Sequence, residues 1–153
     1  MTANEITDHI YIGDVEDAKG WEGPLICVLE NLPDIEPNHA IWIPILKNRL
    51  EKVMMKDKDG KDTDYMTHEY VDHAIPQQLD LVSSIMDIIL ESGEDLLVHC
   101  GAGQERSPLA VTYYLHKKWN IPLEDAFAKV KEKRPEALNR LYWLNKEEDH
   151  GKV

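Results

Sequence analysis

Residues 96–111, Leu-Leu-Val-His-Cys-Gly-Ala-Gly-Gln-Glu-Arg-Ser-Pro-Leu-Ala-Val, constrain the chain more than any other stretch. An apolar strand runs into His99 and Cys100, breaks into a loop containing two glycines, and continues from Arg106 as an apolar helix. Five residues separate Cys100 from Arg106, enough for the backbone to curl round one tetrahedral anion. The amides of residues 101–106 would then converge as a nest, reinforced by the partial positive charge of the helix N-terminus. Gly101 and Gly103 allow positive φ and close approach of the backbone. Arg106 offers a planar fork that can hold two phosphoryl oxygens, which the point charge of Lys cannot do.

Such a loop can also react. Helix N-termini and neighbouring cations lower the pKa of a thiol, so Cys100 is expected to be a thiolate aimed at the phosphorus its own loop holds. Ser107 can donate to the sulfur when it departs, and His99 can orient the loop. Gly101, Ala102, Gly103, Gln104 and Glu105 bind through their backbone amides, whatever their side chains. Cys27, in a β-branched run, reads as a core residue.

Charge decides how local the anion site must be. The chain has 17 Lys and Arg against 29 Asp and Glu, a net charge of −12. That excludes a broad surface for nucleic acid or anionic lipid. Two cysteines make no disulfide framework and no zinc pattern. No stretch reaches the roughly 20 apolar residues that span a bilayer. A reduced, cytoplasmic setting follows as the expectation, with no membrane partner, no nucleic acid, no metal and no cofactor.

Short β-branched runs at 9–13, 24–31, 39–46 and 95–100 read as strands, and helical spacing appears at 76–91, 107–119, 122–134 and 135–148. The implied fold is α/β: a central mixed, largely parallel four- to five-stranded sheet with helices on both faces, forming one domain over 1–153. Residues 47–76 are too long for a connection. Alternation on either side of Asp59-Gly60 predicts an inserted hairpin at about 47–70 with a type I′ turn. A calcium loop fails there, since Gly60 at its sixth position would put Met55 and Met66 at the terminal ligand positions.

The segment His-Cys-Gly-Ala-Gly-Gln-Glu-Arg-Ser resembles the His-Cys-x5-Arg-Ser/Thr signature of the cysteine-dependent protein tyrosine phosphatase superfamily, in its small dual-specificity branch. Residues 6–18 are similar to that branch's opening strand, and 106–135 to the two helices after its loop, ending in Arg134-Pro135. The resemblance implies a phosphoprotein phosphatase acting through a cysteinyl-phosphate. It also implies an Asp that protonates the leaving oxygen. Many small members carry this Asp just after the strand ending in Ile-Pro, but here Lys47 and Asn48 occupy that place. Val71-Asp72-His73-Ala74-Ile75-Pro76 is similar to the superfamily's Trp-Pro-Asp loop, which makes Asp72 the expected acid ahead of Asp64 and Asp62. Lys47 and Glu105 also leave open a phosphate-binding pseudophosphatase. Phosphoinositides and RNA 5′ ends rank below phosphoprotein, given the acidic balance and the absence of Lys from the loop.

Overall fold

The computed structural model describes residues 3–34, 37 and 39–144. Along the chain it places β1 (Asn4–Thr7), β2 (Ile10–Gly13), α1 (Val15–Lys19), β3 (Leu25–Cys27), β4 (Ile41–Trp42), β5 (Leu46–Lys56), β6 (Asp62–Ala74), α2 (Pro76–Glu91), β7 (Leu96–His99), α3 (Arg106–Trp119) and α4 (Leu123–Lys133). Five strands form one sheet in the order β1-β2-β7-β3-β4. Only β1 runs antiparallel to its neighbour; every other pairing in this sheet is parallel. The mixed, largely parallel α/β architecture expected from the sequence is therefore observed.

Strand alternation divides the side chains between two layers. Ile10 and Ile12, Ile26 and Val28, and Leu96 and Val98 pack in one cluster with Leu79, Val82 and Met86 of α2, Leu109 and Leu115 of α3, and Ala126 and Val130 of α4. Each such buried Val, Leu, Ile or Met stabilises the fold by about 1.5–3 kcal/mol. Leu25 and Leu97 point the other way, onto Ala18 of α1, with Tyr11 and Trp21 beside them. Helices thus cover both faces, three long ones on one side and the short α1 on the other. All four residues of β7 are buried, as expected of a central parallel strand. Its C-terminal end, where Cys100 begins the loop, opens at the edge where α/β sheets bind ligands.

Three expectations change in detail. The run at 24–31 is a strand only over Leu25–Cys27, although Val28 still donates to the His99 carbonyl at 3.1 Å. The run at 39–46 splits, because Pro44 has no N–H for a ladder; Ile41–Trp42 joins the sheet and Leu46 starts the hairpin. The helix predicted over 135–148 does not form over 135–141. Pro135 favours extended backbone in the residue before it, and Arg134 sits at φ −129°, ψ 84°. The amide of Leu138 then donates to Gln104 O at 2.7 Å rather than into a helical ladder. Residues 145–148 lie outside the described residues.

The inserted hairpin is longer than expected, spanning Leu46 to Ala74, and it forms its own two-stranded sheet. Its turn is not type I′, which needs positive φ at both central residues. Gly60 has φ +81°, but Asp59 is not among the positive-φ residues. Asp57 Oδ1 accepts from the amides of Asp59 and Lys61, and Asp57 N donates to Lys61 O at 2.8 Å. This is a three-residue loop with a left-handed glycine, the next most common hairpin closure.

Candidate active site

The loop between β7 and α3 is shaped by where its carbonyls go. Gly101 O accepts from Val15 N at 3.0 Å and Gln104 O from Leu138 N at 2.7 Å. Gly103 O accepts from Arg134 Nε at 2.7 Å, and Ala102 O from Arg134 Nη2 at 3.4 Å. Four consecutive carbonyls are thus held by groups outside the loop. In a trans peptide the C=O and the following N–H point in opposite directions, and no peptide bond among the described residues is cis. The amides of residues 102–105 therefore point away from those anchors. They lie within the 101–106 span over which the sequence suggests a nest.

Arg134 makes this anchoring possible. Its side chain is fully buried, and beyond the loop it donates from Nη1 to Ile12 O at 3.1 Å and Asn4 Oδ1 at 2.6 Å. Gly103 leaves the space: it has φ +70°, and a Cβ there would sit 2.5 Å from Arg134 Nη2 and 2.7 Å from Gly13 O. From sequence alone Arg134 reads as a generic ion-pair or cap residue. Its position just before Pro135, at the end of α4, is the only local signal of its task.

Cys100 is 2% exposed, and its Sγ lies 3.2 Å from the Ser107 hydroxyl, which is fully buried. His99 is also fully buried, and its Nδ1 donates to the Cys100 carbonyl at 3.1 Å, fixing the start of the loop. Arg106 donates from Nε to Glu30 Oε1 at 2.7 Å, and its Nη1 lies 3.9 Å from Glu105 Oε1. Burial disfavours the Arg106 charge. The Glu30 hydrogen bond and field, aided by Cys100 and Glu105, outweigh that and hold the guanidinium above the ordinary arginine value. Glu30 thus sets the orientation of the arginine. It escaped the sequence reading because 76 residues separate the two.

Asp72 lies in strand β6 rather than in a loop. It is the cross-strand partner of Asn48, whose side-chain amide donates to Asp72 Oδ1. The hairpin therefore returns a carboxylate to the place just after Ile-Pro where the sequence itself offers only Lys47 and Asn48. A cleft of about 350 Å³ has Asp72, Tyr70 and Glu69 on one side and the loop's Glu105, with Arg140, Tyr142 and Trp143, on the other. Glu105 is turned to Arg140, whose Nε donates to its Oε2 at 2.9 Å. Asp64 lies eight residues further along β6, about 26 Å at strand rise. Asp62 is further still, paired with Lys56 near the tip.

Residues 33–146 match the family described as dual specificity phosphatase, catalytic domain. The chain belongs to this family. The phosphatase domain is 27% identical over 128 residues to a candidate tyrosine-protein phosphatase R622 of Acanthamoeba polyphaga mimivirus, covering 83% of this chain and 59% of that protein. It is 29% identical over 96 residues to rat dual specificity protein phosphatase 5, covering 63% of this chain and 19% of that protein. The chain thus spans about three fifths of the mimivirus relative. In fold, the phosphatase domain is similar to human DUSP28 (TM-score 0.63, 19% identity, 99% of this chain and 95% of that one). The human tyrosine phosphatase-like serine/threonine/tyrosine-interacting protein is similar too (TM-score 0.63, 18% identity, 99% of each chain). Among the described residues, no group of three or more His, Cys, Asp or Glu could hold a metal, and no helix is long and apolar enough to cross a membrane.

Proposed function

We propose that this phosphatase domain hydrolyses phosphotyrosine, and with it phosphoserine or phosphothreonine, in proteins through a cysteinyl-phosphate. The observation that carries this is the outward anchoring of four carbonyls in the loop that begins at the buried Cys100, which turns the opposite amides away from the anchors and frees them for an oxyanion. Cys100 Sγ attacks phosphorus. The loop amides and the Nη groups of Arg106 take the equatorial oxygens, where charge develops. The P–O bond to the substrate breaks, and Asp72 gives its proton to the leaving oxygen. Water then attacks phosphorus and gives a proton to Asp72. The S–P bond breaks while the Ser107 hydroxyl donates to the sulfur. Amides and a guanidinium supply the charge stabilisation, so activity should persist in EDTA. Tyr70 and Tyr142, on opposite sides of the cleft, suit a phosphotyrosine ring.

Cys100→Ser should abolish turnover of an aryl phosphate yet retain binding of an oxyanion such as tungstate. A Ser variant with wild-type rates removes the sulfur from the mechanism. Asp72→Asn should slow substrates with poor leaving groups by about 10²-fold or more, while Asp64→Asn should not. The reverse pattern would transfer the acid to Asp64.

One observation favours a second reading. The Asn48 amide donates to Asp72 Oδ1, the carboxylate that would otherwise serve the leaving oxygen. A domain whose acid is held by this contact would bind phosphorylated protein without releasing phosphate. Binding of a phosphopeptide with no phosphate release, from Cys100 intact protein, would identify this case.

A further inference from the structure

Side chains in a two-stranded ribbon alternate between its faces, and the two faces of the β5–β6 hairpin differ sharply. One carries Lys47, Arg49, Glu51 and Val53 opposite His73, Val71, Glu69 and Thr67, most of them half-buried, with His73 fully buried and paired to Glu51. The other carries four cross-strand pairs: Asn48 with Asp72, Leu50 with Tyr70, Lys52 with His68, and Met54 with Met66. On this outer face Leu50 is 58% exposed, Met54 40% and Met66 46%. Among the described residues these apolar side chains stay exposed, in a chain that is otherwise strongly acidic.

We infer that this outer face docks the segment of a phosphoprotein substrate flanking the phosphorylated residue, and that it favours a segment in which apolar and acidic side chains alternate. The inference rests on the phosphatase reading above. Two observations choose the substrate over other occupants. The face is continuous with the cleft between the hairpin and Glu105 of the loop, because its first pair contains Asp72 and its second contains Tyr70, both lining that cleft. Its charge suits an acidic side chain at one point, because Lys52 lies between the two apolar pairs, across from His68. Successive pairs lie about 7 Å apart, the spacing of alternate side chains in an extended peptide. A peptide running out from the site along the ribbon therefore meets an apolar pair near its second residue, Lys52 near its fourth and an apolar pair near its sixth.

The test compares three substrates: an aryl phosphate, a phosphotyrosine peptide with Leu, Glu and Leu at the second, fourth and sixth positions to either side, and the same peptide with Lys replacing Glu. Turnover is measured alongside anisotropy binding of non-hydrolysable phosphonate versions of both peptides. Wild-type protein should prefer the Glu peptide over the Lys peptide. The double variant Leu50→Ser, Met54→Ser should raise KM and the dissociation constant for the Glu peptide about tenfold and leave the aryl phosphate rate unchanged. Lys52→Glu should invert the preference towards the Lys peptide, a result that a damaged ribbon cannot mimic. Equal treatment of both peptides by wild-type and Lys52→Glu protein overturns the inference. So does sedimentation showing a dimer that the double variant dissociates, since a second copy then covers the face. If wild-type protein fails to hydrolyse even the aryl phosphate, the catalytic reading falls, and the phosphonate binding series still decides the docking.

Discussion

Arg134 offers a direct test of the idea that the loop is built from behind. Arg134→Met keeps an apolar stem of similar girth and removes every donor. Of its four acceptors, Asn4 Oδ1 belongs to a half-buried side chain that can turn to water, and the contact to Ala102 O is long at 3.4 Å. Gly103 O remains as a buried carbonyl that has lost its donor, at about 1–3 kcal/mol, while Ile12 O keeps its place in the β1–β2 ladder. Removing the guanidinium also removes the cost of keeping it out of water, which places the net loss at about 1–2 kcal/mol. In a domain of this size each kcal/mol moves Tm by about 2–4 °C, so thermal unfolding should shift down by about 2–8 °C. The peptides on either side of Gly103 would then be free to rotate, turning amides away from the oxyanion. Loss of one such preorganised donor costs about 10²–10³ in kcat. Arg134→Lys retains the charge without the fork and cannot span Gly103 O, Ala102 O and Ile12 O together; it should recover stability better than kcat. The measurements are calorimetry, aryl phosphate kinetics and tungstate binding. Arg134→Met with Tm unchanged within a degree and kcat within twofold of wild type would refute the reasoning.

Other expectations follow from single contacts. Gly103→Ala forces a Cβ into a left-handed backbone position, at about 1–2 kcal/mol, and against Arg134 Nη2 and Gly13 O; urea unfolding should show a loss exceeding that strain alone. Glu30→Gln should lower kcat about tenfold, because a neutral amide oxygen holds Arg106 Nε less strongly than a carboxylate, with stopped-flow kinetics showing the loss in phosphorylation of the enzyme. His9 is raised above its ordinary value, chiefly by its hydrogen bond to Asp95, with burial opposing and the carboxylates of Asp95, Asp8 and Glu5 adding. A raised folded-state pKa gives stability that is complete below the unfolded value near 6.5 and fades as pH rises through the folded value. Asp95→Asn should therefore lower Tm at pH 5.5 and leave it nearly unchanged at pH 9. Equal losses at both pH values would dismiss the ion pair.

How much of this could be read from the chain depends on sequence distance. The strand, loop and helix around Cys100 lie within two dozen residues, and each part carries its own signature: a buried apolar run, glycines, an apolar helix face. Asp72 stands out for a similar reason, as a local pattern ahead of Pro76, and the proposed mechanism gives it the acid's role; the sequence suggests a loop there and the structure has a strand. Glu30 and Arg134 act across 76 and 31 residues and carry no local mark of the groups they hold. The helix expected after Pro135 shows the converse. Leu138, Leu141 and Leu144 keep helical spacing, but Leu138 N is taken by the loop carbonyl of Gln104, and a tertiary hydrogen bond outweighs weak propensity. The hairpin turn departs from the expected type I′ because Asp-Gly suits more than one closure, and the Asp57 carboxylate, two residues before Asp59, selects between them.

The hairpin couples arithmetic at its tip to chemistry at its base. Asp72 is ten residues, about 33 Å, from the start of β6 at Asp62, yet which side of the ribbon it occupies is set by how the chain reverses there. Moving the pairing by one residue exchanges the two faces, swinging the carboxylate to the side where His73 now sits. Under the proposed mechanism, losing a single amino acid from the reversal silences proton delivery without altering Cys100 or its loop, whereas losing a matched pair, one from each strand, merely shortens the arm.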